Sequence, residues 1–329
     1  MRRTFILTSA ALVFTASMAV TGASRQAPAG RANMPTPGGA LANAPPPKAV
    51  PPGPHAVTIE SYPSLATHTA YHPTSLASFG PSGRLPIVSW GNGGCARSGR
   101  AFAGLLTQIA SHGYLAIAIG PKDPPARSGG APPAPPAPSA PSAPPALDDR
   151  MLLDAVDWAI RQNADRTSPF YQKLDTTKVA VMGQSCGGLQ TIAVSPDPRV
   201  TTSVLFNSGV LPDGAPTPTG RALSEASKVH LDRLHAPIAY FIGGPTDVAY
   251  PNAEDDFARI TRVPVLKANL NVGHGGTFRD PGAGWFGEVG VAWLDWQLKG
   301  NADAATYFVG SACKLCTNPI WNVQKKGIQ

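Results

Sequence analysis

Six short apolar runs, of five to eight residues each, limit what this chain can fold into: Leu85–Trp90, Tyr114–Ile119, Lys178–Met182, Val200–Phe206, Pro237–Ile242 and Val263–Leu270. Each is too short for an independent buried helix, and most lack the alternation of a strand with one wet face. They read as strands buried on both faces. Segments of helical period separate them, at about 101–111, 187–194, 252–260 and 285–298. Another follows Asp148 or Asp149, in DDRMLLDAVDWAIRQN, with apolar residues at 152, 153, 156, 159 and 160. Strands alternating with helices imply an α/β domain with a largely parallel sheet and helices on both faces. Ala56–Ser61 and Ala66–Tyr71 alternate like a strand pair ahead of it. No internal repeat is visible.

Thirty-six prolines in 329 residues would suggest disorder if they were evenly spread, but twenty fall in two windows. Nine lie in 28–54 and eleven in 121–145. The remaining 277 positions hold sixteen, an ordinary density, and 43% of the chain is hydrophobic. There is enough apolar material for a sizeable core. The expected organisation is a signal peptide over 1–23, a proline-rich disordered linker over 24–54, and one domain over 55–329. That domain carries a proline-rich insertion at 121–147 and no separate large lid domain.

The signal is read from Arg2-Arg3, a 16-residue apolar run from Phe5 to Val20, and small residues near Ala23. The run is shorter than a membrane span requires. The mature protein is therefore expected to be exported, to the periplasm or beyond, with no membrane segment. Formal charge is +7, falling to about +5 without Arg2 and Arg3. The basic residues do not cluster as a nucleic-acid surface requires, so no nucleic-acid partner is expected. A monomer is expected.

The chemistry centres on Gly183-Gln184-Ser185-Cys186-Gly187-Gly188, directly after KVAVM and before a helical segment. This is G-x-S-x-G between strand and helix, a tight turn that presents a serine hydroxyl above the sheet edge. Shifting the frame to make Cys186 the nucleophile puts Gln184 where the first glycine belongs, so Ser185 keeps the role. A serine nucleophile needs a base, and the base needs an orienting carboxylate. In the fold class that uses this turn, acid and base follow the serine in that order. His274, in NVGHGGTF after an apolar strand, is the expected base; His230 and His235 lack such a setting. Eight carboxylates lie between Ser185 and His274. Asp247 closely follows the buried run PIAYFIGG, whereas Asp255 and Asp256 read as solvent-facing helix positions.

Two backbone donors are needed to hold an oxyanion. Cys186 supplies one. The loop Trp90-Gly91-Asn92-Gly93-Gly94-Cys95 supplies the other, with Asn92 expected and Gly93 as the alternative. Gly91, Gly93, Gln184, Trp285 and Phe286 are the candidate substrate contacts, although the helical period also fits Trp285 and Phe286 in the core with Trp293 and Trp296. If both loops point N–H groups at one oxygen, Cys95 and Cys186 must be neighbours, and a disulfide between them is expected. Cys313-x-x-Cys316 lacks a second ligand pair for zinc and reads as a local disulfide. His68-x-x-x-His72 could face one side of a strand, but no third ligand is evident. Neither a metal nor a cofactor is expected.

These residues resemble the secreted α/β-hydrolases of the cutinase-like polyesterase and dienelactone-hydrolase-like esterase group. The resemblance runs from about Leu85 to Cys316 and rests on IASHGYLAIAI, KLDTTKVAVMGQSCGG, Asp247 after PIAYFIGG, NVGHGG and GVAWLDWQLKG. It implies an α/β-hydrolase fold and a serine carboxylesterase acting on short-chain or polymeric esters. Ser185, Asp247 and His274 take the places of nucleophile, acid and base, and Cys186 and Asn92 those of the oxyanion donors. Polyester hydrolases usually carry an aromatic residue at the Asn92 position, Met at Cys186, and His or Trp at Gln184. The aromatic clamp is thus missing. A peptidase, an acyltransferase or a non-catalytic binding protein are the alternatives on the same residues.

Overall fold

A computed structural model describes residues 43–123, 149–212 and 224–329. The expected signal at 1–23, the first part of the expected linker (24–42) and nearly all of the 121–147 insertion lie outside the described residues. The described part belongs to one compact unit, Leu41–Gln329.

Among the described residues, nine strands form one mixed sheet. In chain order they are β1 (Val57–Glu60), β2 (His68–Pro73), β3 (Leu85–Gly91), β4 (Leu115–Ile119), β5 (Leu174–Gln184), β6 (Val200–Phe206), β7 (Ile238–Ile242), β8 (Val265–Leu270) and β9 (Trp321–Lys326). Across the sheet they run β1-β2-β4-β3-β5-β6-β7-β8-β9. The six central strands, β4 to β8, are the six apolar runs, and all are parallel. β1, β2 and β9 close the edges antiparallel. The helices are α1 (Ala103–Ser111), α2 (Arg150–Ala164), α3 (Cys186–Val194), α4 (Lys228–Asp232), α5 (Tyr250–Arg259), α6 (Gly284–Lys299) and α7 (Ala302–Ala305).

The period of two along each strand divides the core. Val88, Trp90, Ala180, Met182, Val204 and Phe206 point to the face covered by α1 and α6. Ile87 and Val179 face α2, while Leu205 and Tyr240 face α3 and α5. Because both faces are covered, the runs are continuously apolar. β3 leads to α1 on one face and β5 to α3 on the other, and the strand order reverses between them. The carboxyl edge at such a divergence is the usual ligand position in sheets of this kind.

Several sequence expectations change. Residues 46–54, expected as disordered linker, lie along α1 and α6. Trp285 Nε1 donates to the Pro46 carbonyl at 3.1 Å, Gln108 Nε2 to Pro51 at 2.8 Å, and the Gly53 N–H to Ser111 Oγ at 2.8 Å. Lys48 pairs with Glu288 at 2.5 Å and sits 4.1 Å from the Trp285 ring centre. A sequence scan misses this because prolines and backbone groups do the holding, with few large apolar side chains. Asp149 stands at the start of α2 without a side-chain cap bond there; its carboxylate instead accepts from the Glu225 N–H at 2.6 Å. Asp256, expected to face solvent, is fully buried. It accepts from the Val210 N–H at 2.8 Å, Lys228 Nζ at 2.6 Å and Tyr240 Oη at 3.3 Å. Those partners come from three other segments, so a period within α5 could not disclose them. Among the described residues, no helix is long and apolar enough to cross a membrane.

Candidate active site

β5 enters α3 through Ser185, whose φ of 52° and ψ of −114° are unusual for a residue with a side chain. The surroundings enforce the turn. A Cβ on Gly187 would lie 2.0 Å from the Gly91 carbonyl oxygen, and one on Gly183 would lie 2.2 Å from the Gly187 carbonyl. Only glycine allows the end of β3 and the start of α3 to pack this closely.

Ser185 Oγ is 2.9 Å from His274 Nε2, and His274 Nδ1 is 2.6 Å from Asp247 Oδ1. Asp247 is buried, and four donors reach its carboxylate. Besides His274, the Ala249 N–H reaches Oδ1 at 2.9 Å. Asn207 Nδ2 reaches Oδ2 at 2.6 Å, and the Gly243 N–H reaches it at 3.0 Å. Burial alone would raise its pKa. The bonds from His274, Ala249 and Asn207 outweigh burial and hold it below the ordinary carboxylate value. An ionised Asp247 keeps a proton on His274 Nδ1 and leaves Nε2 free to accept one from serine.

Asn92 follows β3 with its side chain buried. Nδ2 donates to the carbonyls of Ile119 (2.7 Å), Ala96 (2.8 Å) and Ser98 (3.2 Å), while Oδ1 accepts from Trp90 Nε1 at 3.0 Å. The side chain therefore shapes the loop, and the backbone faces α3: a Cβ on Gly187 would also lie 2.8 Å from the Asn92 nitrogen. Cys95, at φ 50°, forms a disulfide with Cys186, their Cα atoms 5.3 Å apart. It ties this loop to the residue after Ser185. Cys313 and Cys316 form the second disulfide, with Cα atoms 4.9 Å apart.

The candidate substrate contacts separate. Gly91 and Gly93 stand at the elbow. Gln184, however, is buried and spans two loops: its Nε2 donates to the His274 carbonyl at 3.1 Å, and its Oε1 occupies the space a Cβ on Gly93 would need. Phe286 is fully buried beneath the base loop, against Gly276. Trp285 is half-buried and engaged with Pro46 and Lys48. α6 thus turns Phe286 toward the core and Trp285 toward the 46–54 segment.

Both nitrogens of each strand histidine are occupied. His68 contacts the Met151 carbonyl and Thr67 Oγ1, and His72 contacts Glu60 and the Pro73 carbonyl. Among the described residues, no group of three or more His, Cys, Asp or Glu could hold a metal ion. Two site residues escaped the sequence reading. Asn207 also donates to the Gly273 carbonyl at 3.0 Å, and Ser208 Oγ donates to the Ser185 carbonyl at 2.7 Å. The available signal was a polar pair directly after the apolar run VTTSVLF. No model of a known protein family matches this chain, and no curated protein matches it either.

Proposed function

We propose that this protein is an α/β-hydrolase-fold serine carboxylesterase that works through an acyl-enzyme. The observation that carries the reading is the unbroken relay from Ser185 Oγ through His274 to Asp247, built from three loops at the carboxyl edge of the sheet. His274 Nε2 takes the Ser185 proton as Oγ attacks an ester carbonyl. The backbone N–H groups of Cys186 and Asn92 hold the tetrahedral oxyanion, and the imidazolium returns its proton to the departing alcohol. Water, deprotonated by the same imidazole, then releases the acid. Asp247 stays ionised and fixes the tautomer. The two disulfides favour an oxidising compartment, in keeping with an exported enzyme.

A series of p-nitrophenyl esters from acetate upward, read beside a model polyester film, tests both activity and chain-length preference. Ser185→Ala is expected to abolish turnover of the acetate and butyrate esters, a loss of about 10³-fold or more. Unchanged turnover in that variant refutes the assignment.

A further inference from the structure

The three relay residues follow β5, β7 and β8, and β6 lies between β5 and β7. The carboxyl end of β6 is therefore placed to meet all three loops, and the two residues there, Asn207 and Ser208, are 0% and 2% exposed. We propose that Asn207 and Ser208 are positioning residues that set the Ser185–His274–Asp247 geometry: Asn207 holds the acid loop to the base loop, and Ser208 holds the nucleophile's peptide. The proposal rests on the serine-hydrolase reading of that relay.

Asn207 Nδ2 divides its two hydrogens between Asp247 Oδ2 at 2.6 Å and the Gly273 carbonyl at 3.0 Å. Both are acceptors, which fixes the amide orientation: a flip would set oxygen against oxygen. The remaining atom, Oδ1, is buried without a hydrogen-bond partner among the described residues. Leaving an acceptor unpaired is costly, so the donor side accounts for the amide here. The backbone supports the same placement. Asn207 has φ 46°, a left-handed conformation that asparagine tolerates better than most residues, and its N–H donates to the Phe241 carbonyl at 2.9 Å. A Cβ on Gly243 would lie 2.0 Å from the Gly273 oxygen and 2.8 Å from Asn207 Nδ2, so acid and base loops close directly on the amide. On the other side, Ser208 fills the space left by the missing side chain of Gly188 and donates to the Ser185 carbonyl at 2.7 Å. One dipeptide thus grips the nucleophile, the acid and the residue before the base.

The charge environment makes the role separable from mere packing. His274 is the titratable group that faces Asp247 among the described residues. Asp256 on α5 faces Val210, Tyr240 and Lys228, and Asp255 faces Lys228 and Arg259. Asn207→Asp keeps the shape but replaces the donor with a second carboxylate beside Asp247. The two facing carboxylates then repel or share a proton, so the amide's hold on Asp247 is lost while the packing is kept.

The experiment compares the full chain with Asn207→Asp, Asn207→Ala and Ser208→Ala by kcat and KM for p-nitrophenyl butyrate against pH. It adds labelling of Ser185 by a fluorophosphonate, the downfield His274 imidazole proton in NMR spectra, and thermal melts. Losing a hydrogen bond to a charged group predicts a fall in kcat of about 10- to 100-fold for both Asn207 variants, with KM within about twofold. Asn207→Asp changes the pH profile of kcat and displaces the imidazole resonance. Ser208→Ala lowers kcat and labelling rate with the pH profile unmoved. Wild-type kcat and pH profile in the Asn207 variants overturn the proposal, as does a lowered melting temperature alone. If the wild-type chain neither turns over esters nor takes the label, the esterase reading fails. The imidazole resonance then still decides: displaced in Asn207→Ala, which adds no charge, it supports the positioning role, and unchanged it overturns it.

Discussion

At the scale of single residues, the candidate site depends on buried amides as much as on its reacting groups. Asn92 is the clearest case, because its side-chain amide shares two hydrogens among three carbonyls and accepts from an indole N–H, around the loop proposed to carry an oxyanion donor. Asn92→Ala leaves those groups unpaired. It is expected to lower stability by about 3 kcal/mol and to lower kcat more than it raises KM. Urea denaturation followed by steady-state kinetics checks both, and a variant with unchanged turnover would show that the loop needs no such lock. The serine motif and the order of acid and base singled out Ser185, Asp247 and His274, and these three do stand within hydrogen-bonding reach. Asn92 was legible only as a backbone position. Its side chain answers to Ala96 and Ser98 within its own loop and to Ile119, which the pairing of β3 with β4 brings beside it. Gln184 was legible as a motif position, yet its partners, Gly93 and the His274 carbonyl, come from two other loops.

Between elements, two ties hold the region around the site. The Cys95–Cys186 disulfide joins the β3–α1 loop to the first turn of α3 across a separation of 91 residues. The second disulfide spans only 3. Loop-closure entropy gives the first a nominal stabilisation of about 4–5 kcal/mol and the second about 2 kcal/mol. Replacing Cys95 and Cys186 with Ala should accordingly cost more stability than replacing Cys313 and Cys316. It should also lower kcat, which the distal pair should not. Equal effects of the two pairs in denaturation and turnover would argue against a local role at the elbow. The second tie is the 46–54 segment. Its bond from the Val50 N–H to the Pro281 carbonyl, at 3.1 Å, secures the chain between His274 and α6. Removing residues 1–54 is expected to lower the melting temperature by several degrees, about 1–2 kcal/mol, below that of a chain lacking only 1–42. Matching melts for the two truncations would return the segment to a passive linker.

For the molecule as a whole, pH dependence follows from carboxylates that the fold holds ionised. Asp247, Glu60 and Asp197 all have folded-state pKa values below their ordinary ones. In Asp247 and Glu60, hydrogen bonds overcome the burial that would raise them; in Asp197 the Arg199 side chain is the leading cause. A depressed folded pKa contributes stability that is fully present above the unfolded value. That stability is lost as pH falls from about 4 through the depressed folded values. Asp256 has the opposite sign: burial raises its pKa, so the folded state gains from its protonation as pH falls through that raised value, and part of the loss is offset. Melting temperatures should therefore fall steeply below about pH 4. Asp247→Asn should flatten that fall, and a variant with the same acid slope as the wild type would remove Asp247 from the account.

The sequence by itself determined the alternation of buried strands and helices, because a strand covered on both faces must be apolar at nearly every position and that pattern is local. It also determined the elbow, since the glycines around Ser185 record a close approach that any side chain would block. Tertiary structure alone decided what holds the site in place. β9 contributes mixed polar residues at the sheet edge, Asp256 is buried by partners from three other segments, and residues 46–54 are held through backbone groups. Asn207 and Ser208 bridge three loops that meet only when β5, β6, β7 and β8 lie side by side. Such contacts depend on distance in space between residues far apart in the chain, and no local period or spacing carries that information.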